Sequence, residues 1–144
     1  RAIAVIADLQ HTRVKELNDM GINVCFAQDS ISDPWYPLGN GNLMTVLDHG
    51  IHICQMMSFE EIDHALDLIT VNGARTMHLQ DVYGLDAGKP ANVLVRDAHT
   101  PFEAVRERVD VLQSVREGRT LFTREPARVT SDYECLDGGP RAEG

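Results

Sequence analysis

Gly21-Ile22-Asn23-Val24-Cys25-Phe26-Ala27-Gln28-Asp29 is the stretch on which the fold turns. Residues 22–27 form a short apolar run of the kind that suits a strand buried on both faces, and Gly21 can end a preceding helix in the left-handed conformation. Reading backwards, Val14, Leu17 and Met20 recur every three positions, so a helix precedes Gly21, with Thr12 placed to cap it. Before that helix, residues 2–7 carry Ile3, Val5 and Ile6 in a second continuous apolar run. The order is strand, helix, strand with short joints, which predicts a βαβ unit and parallel pairing.

Reading forwards, the pattern stops between residues 28 and 41, where Asp29, Ser30, Ser32, Asp33, Pro34, Pro37, Gly39 and Asn40 make a long polar loop holding Trp35 and Tyr36. Long loops after buried strands often carry function. Leu43, Val46, Leu47, Ile51 and Cys54 then trace one face of a helix expected to run to about residue 57. Ser58 with Glu61 is a capping box opening a helix that carries Ile62, Leu66 and Ile69, and a short helical turn is expected over 73–78. After Tyr83 the segments become β-like: a run at 93–95, a second S/T-x-x-E signal at Thr100 to Glu103, and a hairpin in which Val109, Val111 and Val115 lead to a Glu117-Gly118 turn and a return strand at 120–123. A boundary is expected near residue 84, and the polar, Gly-rich residues 126–144 read as a flexible tail.

The chain has 144 residues, 13 Lys+Arg against 22 Asp+Glu for a net charge of −9, and 43% apolar residues. That suits one acidic globular unit; a complete (β/α)₈ barrel usually needs about 250 residues. The acidic balance disfavours phosphate backbones and anionic headgroups, so neither nucleic acid nor membrane is expected as a partner. Cys25, Cys54 and Cys135 are odd in number and in no C-x-x-C pairing, which favours a reducing, cytoplasmic setting over a disulfide framework. The first residue is Arg1 and not Met, so a processed piece and a part of something longer both stay open.

Asp29 is the leading candidate for chemistry, because the carboxyl ends of strands face the ligand in parallel α/β architectures and a carboxylate there binds metal or moves a proton. The plainer alternative is a loop-capping or salt-bridged Asp. Trp35 can stack on a planar ligand, or it can wedge the loop onto the core between Pro34 and Pro37. His49 and His52 lie three apart beside Asp48 but read as a solvated pair, and His11, His64, His78 and His99 read as structural. Gly84 to Lys89 imitates a phosphate loop, yet its spacer is one residue short and Pro90 replaces the hydroxyl residue, so it reads as a turn. Cys25 and Cys54 have no paired His and are not expected to be nucleophiles.

The segment 21–30, followed by Asp33-Pro34-Trp35-Tyr36-Pro37-Leu38-Gly39, resembles the last barrel strand and following loop of bacterial cytosine deaminases, members of the metal-dependent amidohydrolase superfamily. The likeness continues through Leu68-Ile69-Thr70, Ala74-Arg75-Thr76, Tyr83-Gly84-Leu85 and residues 87–92, and fades past about Thr123; residues 1–11 match poorly. The resemblance implies an α/β fold: the carboxy-terminal part of a (β/α)₈ barrel, its last two strand-helix units within residues 1–83, with residues 84–125 contributing strands to a small flanking sandwich.

It further implies that Asp29 is a metal ligand and catalytic proton shuttle, and that Ser30 and Trp35 bind substrate. In that chemistry a divalent transition metal, iron or zinc, lowers the pKa of a water, which attacks the ring carbon bearing the exocyclic amine so that ammonia leaves. The family's histidine ligands and catalytic Glu have no counterpart in this sequence, so the chain alone is expected to be inactive and not to retain the metal. Ser30 stands where typical cytosine deaminases carry a second acid, which opens the substrate to cytosine, a substituted cytosine, or a related cyclic amidine such as isocytosine or creatinine. Two other readings stay open: a non-catalytic α/β binding or assembly module, and one half of a split enzyme. A homo-oligomer is compatible with all of them.

Overall fold

The computed structural model describes residues 13–128 in full and the backbone of residues 3–5. The expected cap Thr12, the flanks of the first strand, Cys135 and most of the expected tail lie outside the described residues.

Strand β1 (Ile3–Val5), helix α1 (Val14–Asp19) and strand β2 (Val24–Phe26) form the expected unit, with β1 and β2 parallel and Ile3 opposite Val24. Gly21, at φ 74°, ends α1: its N–H bonds the Asn18 carbonyl while the Ile22 N–H bonds the Leu17 carbonyl. This paired closure satisfies carbonyls that the helix cannot reach. Val14 is buried and Leu17 packs against the core, but Met20 is 74% exposed, because the helix has already ended where the three-residue spacing would bring it round.

Helix α2 (Leu43–Ile53) starts on Asn42, whose side chain accepts from the Met44 N–H at 3.0 Å. It stops four residues short of the expected end. Gln55 takes φ 56°, the Gln55 N–H bonds the His52 carbonyl and the Met56 N–H bonds the Ile51 carbonyl. That is the same closure as after α1, made here without glycine, and it turns Met56 into the core. Gly50 lets α2 lie directly on β2, since a Cβ there would stand 2.5 Å from the Phe26 ring.

The capping box forms as read: the Ser58 hydroxyl accepts from the Glu61 N–H, and the Glu61 carboxylate accepts from the Ser58 N–H at 2.9 Å. Lys15 of α1 adds an ion pair to Glu61 at 2.6 Å, and Lys15 followed by the Ser58 N–H pulls that carboxyl down to about 2. Helix α3 (Phe59–His64) then tightens into a 3₁₀ turn over Ala65–Ile69. The change of pitch rotates the inward face, so Ala65 and Leu68 become fully buried while Ile62, Leu66 and Ile69 are only partly covered. Helix α4 (Val71–Thr76) follows and closes on His78 at φ 57°.

Beyond residue 84, β3 (Val93–Arg96), β4 (Val111–Arg116) and β5 (Arg119–Thr123) form an antiparallel sheet in the order β3-β4-β5. Glu117 and Gly118, both at positive φ, turn β4 into β5. Helix α5 (Pro101–Arg106) lies between β3 and β4 in sequence. Thr100 caps it, accepting from the Glu103 N–H, but the Glu103 carboxylate reaches back to the His99 N–H in place of the Thr100 N–H, so the box is offset by one residue. Val105 of α5 joins Val14, Val24, Phe26, Leu47 and Leu68 in one core, and Phe102 packs against Phe59 with ring centroids 5.4 Å apart.

Candidate functional site

The site expected from sequence lies on the chain leaving β2. β2 is fully buried and is held from behind by α4: the Asn72 side-chain amide donates to the Val24 carbonyl at 2.9 Å. Asn23 donates to the Asn72 carbonyl and to the Thr76 hydroxyl, and the Cys25 thiol lies 3.3 Å from that hydroxyl. Asn23 Oδ1 is buried without a partner among the described residues. The strand end is therefore fixed by side chains reaching across about fifty positions of sequence.

Asp29 stands three residues beyond β2, on the side where both parallel strands end. It is exposed, and among the described residues its carboxylate enters no salt bridge. The reading as a salt-bridged Asp therefore finds no support among the described residues. Asp29 is also absent from the lining of the cavity of about 520 Å³, which opens between Asn18, Ser58, Glu61, His64, Asn72 and Arg75. Two paired strands supply no wall of their own over the position beyond their ends. Among the described residues no three His, Cys, Asp or Glu side chains come together to hold a metal.

After Asp29 the loop fastens to itself. The Gln28 side chain donates to the Ser30 carbonyl, and the Ser32 N–H and hydroxyl both donate to the Gly39 carbonyl, at 2.7 and 3.0 Å. Gly39 is required at this crossing, because a Cβ there would lie 2.2 Å from the Ser30 carbonyl oxygen. Within the closed segment Asp33 Oδ1 accepts from the Trp35 N–H at 3.0 Å and the Tyr36 N–H at 2.8 Å. The Tyr36 N–H is the largest influence holding the Asp33 carboxyl below its usual range; the Ser30 hydroxyl and the Trp35 N–H add to it against desolvation. Sequence reading passed over this role of Asp33, although an Asp before Pro followed by two free N–H groups is a known turn signal.

Trp35 is 92% exposed, so it does not wedge the loop onto the core; Tyr36 is half-buried. Ser30 is half-buried. His49 and His52 are exposed on α2. Lys89 is engaged by the Tyr83 carbonyl at 2.6 Å and by Asp86 at 2.9 Å, consistent with a turn. Cys25 is buried and Cys54 half-buried, both unbridged among the described residues, and burial pushes the Cys54 thiol up.

Residues 2–122 match the Amidohydrolase family, and the chain belongs to that family. Two crystal structures of 5-methylcytosine deaminase from Klebsiella pneumoniae resemble it. The one liganded with 5-fluorocytosine is 52% identical at a TM-score of 0.80 over 83% of this chain and 29% of that one. The one liganded with phosphonocytosine is 43% identical at a TM-score of 0.83 over 90% of this chain and 35% of that one. N-isopropylammelide isopropylaminohydrolase from Burkholderia multivorans ATCC 17616 is 25% identical at a TM-score of 0.75, covering 83% of this chain and 31% of its own. The N-isopropylammelide isopropyl amidohydrolase of Pseudomonas sp. (strain ADP) is 28% identical over 112 residues, 78% of this chain and 28% of the relative. The chain thus spans about a third or less of the length of these relatives.

Proposed function

We propose that the chain is the carboxy-terminal part of a deaminase acting on cytosine or a closely related cyclic amidine and releasing ammonia. The supporting observation is 43–52% identity to a 5-methylcytosine deaminase across 83–90% of the chain. On this reading β1 and β2 are the last two strands of a (β/α)₈ barrel, the strands within residues 84–125 belong to a flanking sandwich while α5 packs into the core shared with β2, and the setting is a reducing, cytoplasmic one.

Asp29 is a donor of the right chemistry for a divalent ion, exposed at the carboxyl end of a parallel strand. One carboxylate does not complete a coordination shell, so the other ligands come from outside the described residues. Iron or zinc would supply an activated water there. With such an ion bound, Asp29 would hold the proton the water gives up and return it to the departing amine, which must leave as ammonia and not as an amide anion. Trp35 offers a planar wall to a planar ring, and Ser30 offers a hydroxyl able to donate to or accept from the ring's polar edge.

The test is ammonia release from cytosine, 5-methylcytosine and isocytosine. The 144-residue chain alone releases none and keeps no stoichiometric metal; a longer polypeptide containing it, with imidazole ligands, turns over at least one of the three. Deamination by the isolated chain, or by neither, removes the proposal.

Ser30 bears on substrate choice. A hydroxyl occupies less space than a carboxylate and bonds an N–H more weakly. In the competent enzyme, Ser30→Asp is expected to shift preference towards unsubstituted cytosine by about tenfold in relative kcat/KM, the worth of one charge-assisted hydrogen bond of about 1.4 kcal/mol. An unchanged ratio of cytosine to 5-methylcytosine turnover would reject the assignment of Ser30.

A further inference from the structure

We propose that Asp33 is a positioning residue for Trp35, its carboxylate oxygen locking the turn from which the indole projects. The proposal rests on the reading of Trp35 as a pocket wall and adds how that wall is held.

The indole has almost no packing of its own, being 92% exposed among the described residues. Its orientation therefore follows from the backbone beneath it. Asp33 Oδ1 receives the N–H groups of both Trp35 and Tyr36, at 3.0 and 2.8 Å. Pro34, between Asp33 and Trp35, has no N–H to compete and restricts φ. The ends of the segment are tied by Ser32 on the Gly39 carbonyl. A wall residue that must meet a flat ring gains from this arrangement, because a turn already ordered loses less conformational entropy on binding.

What the turn needs is an acceptor, not a charge. An Asn side chain keeps Oδ1 and suits such turns, whereas Ala removes it. Trp35 is the only tryptophan in the sequence, so indole fluorescence of the full chain reports this one side chain. Steady-state anisotropy is expected to fall in Asp33→Ala, with Asp33→Asn staying at the wild-type value. In the competent enzyme Asp33→Ala should raise KM for cytosine about fivefold to tenfold with kcat nearly unchanged, and Asp33→Asn should restore KM to within about twofold.

Wild-type anisotropy in Asp33→Ala overturns the proposal, as does equal loss in both variants, which would mark the charge as the working part. Should circular dichroism show that Asp33→Ala does not fold, Asp33→Asn decides alone: retention supports the proposal and loss overturns it. The two readings also separate. If Trp35→Ala leaves KM for cytosine unchanged, Trp35 is no pocket wall, while the ligand-free anisotropies still settle whether Asp33 holds it.

Discussion

Asp29→Asn in the competent enzyme is expected to lower kcat and kcat/KM together by about 10²–10⁴-fold, the usual worth of a positioned general acid–base group. An amide is nearly the size of the carboxylate and keeps one oxygen to point at a cation, but it is far too weak a base to accept a proton and return it. Equal loss in both constants is the signature of an interaction made in the transition state and not in the ground state. Metal content should also fall, because one anionic donor becomes neutral. The measurement is steady-state deamination of cytosine beside metal analysis of the same preparation. A variant with wild-type kcat would show that the exposed carboxylate beyond β2 takes no part in the reaction.

Leu47→Ala should be the most damaging of the conservative truncations, costing about 2–5 kcal/mol. Leu47 is 0% exposed, on the face of α2 between Met44 and Ile51, and belongs to the same core as Val24, Phe26 and Leu68. Removing three carbons leaves a void bounded by a strand, a helix and a 3₁₀ turn, none of which can close on it without pulling the others. Urea unfolding of the full chain gives the measurement, as a lower midpoint at unchanged slope. His52, exposed on the same helix, provides the control, since His52→Ala should stay within about 0.5 kcal/mol.

The parts of this fold that could be read from sequence are those decided within a few residues. The βαβ order, the Gly21 stop, the Ser58–Glu61 box and the Glu117-Gly118 turn each depend on a local signal with one dominant outcome. The end of α2 is not legible because Gln55 takes the left-handed conformation without being glycine, as His78 and Arg108 do after α4 and α5. Burial of Ala65 and Leu68 was hidden by the 3₁₀ pitch, which a 3.6-residue pattern does not anticipate. The candidate site divides in the same way. The order Asp29, Ser30, Trp35 could be read as a motif, but whether Trp35 packs inward or projects depends on what lies across from it, and Asp33 acquires its role only when the turn closes.

The closure at Gln55 also bears on how this sequence can vary. The reversal that ends α2 is the one that delivers Met56 to the interior, and Ser58 begins the next cap only two positions later. There is no slack between these events. One residue inserted there would turn Met56 outward or carry Ser58 off its partner, so changes of length in this family member should be tolerated poorly around residue 55. Substitution, not insertion or deletion, is the evolutionary freedom left to that joint.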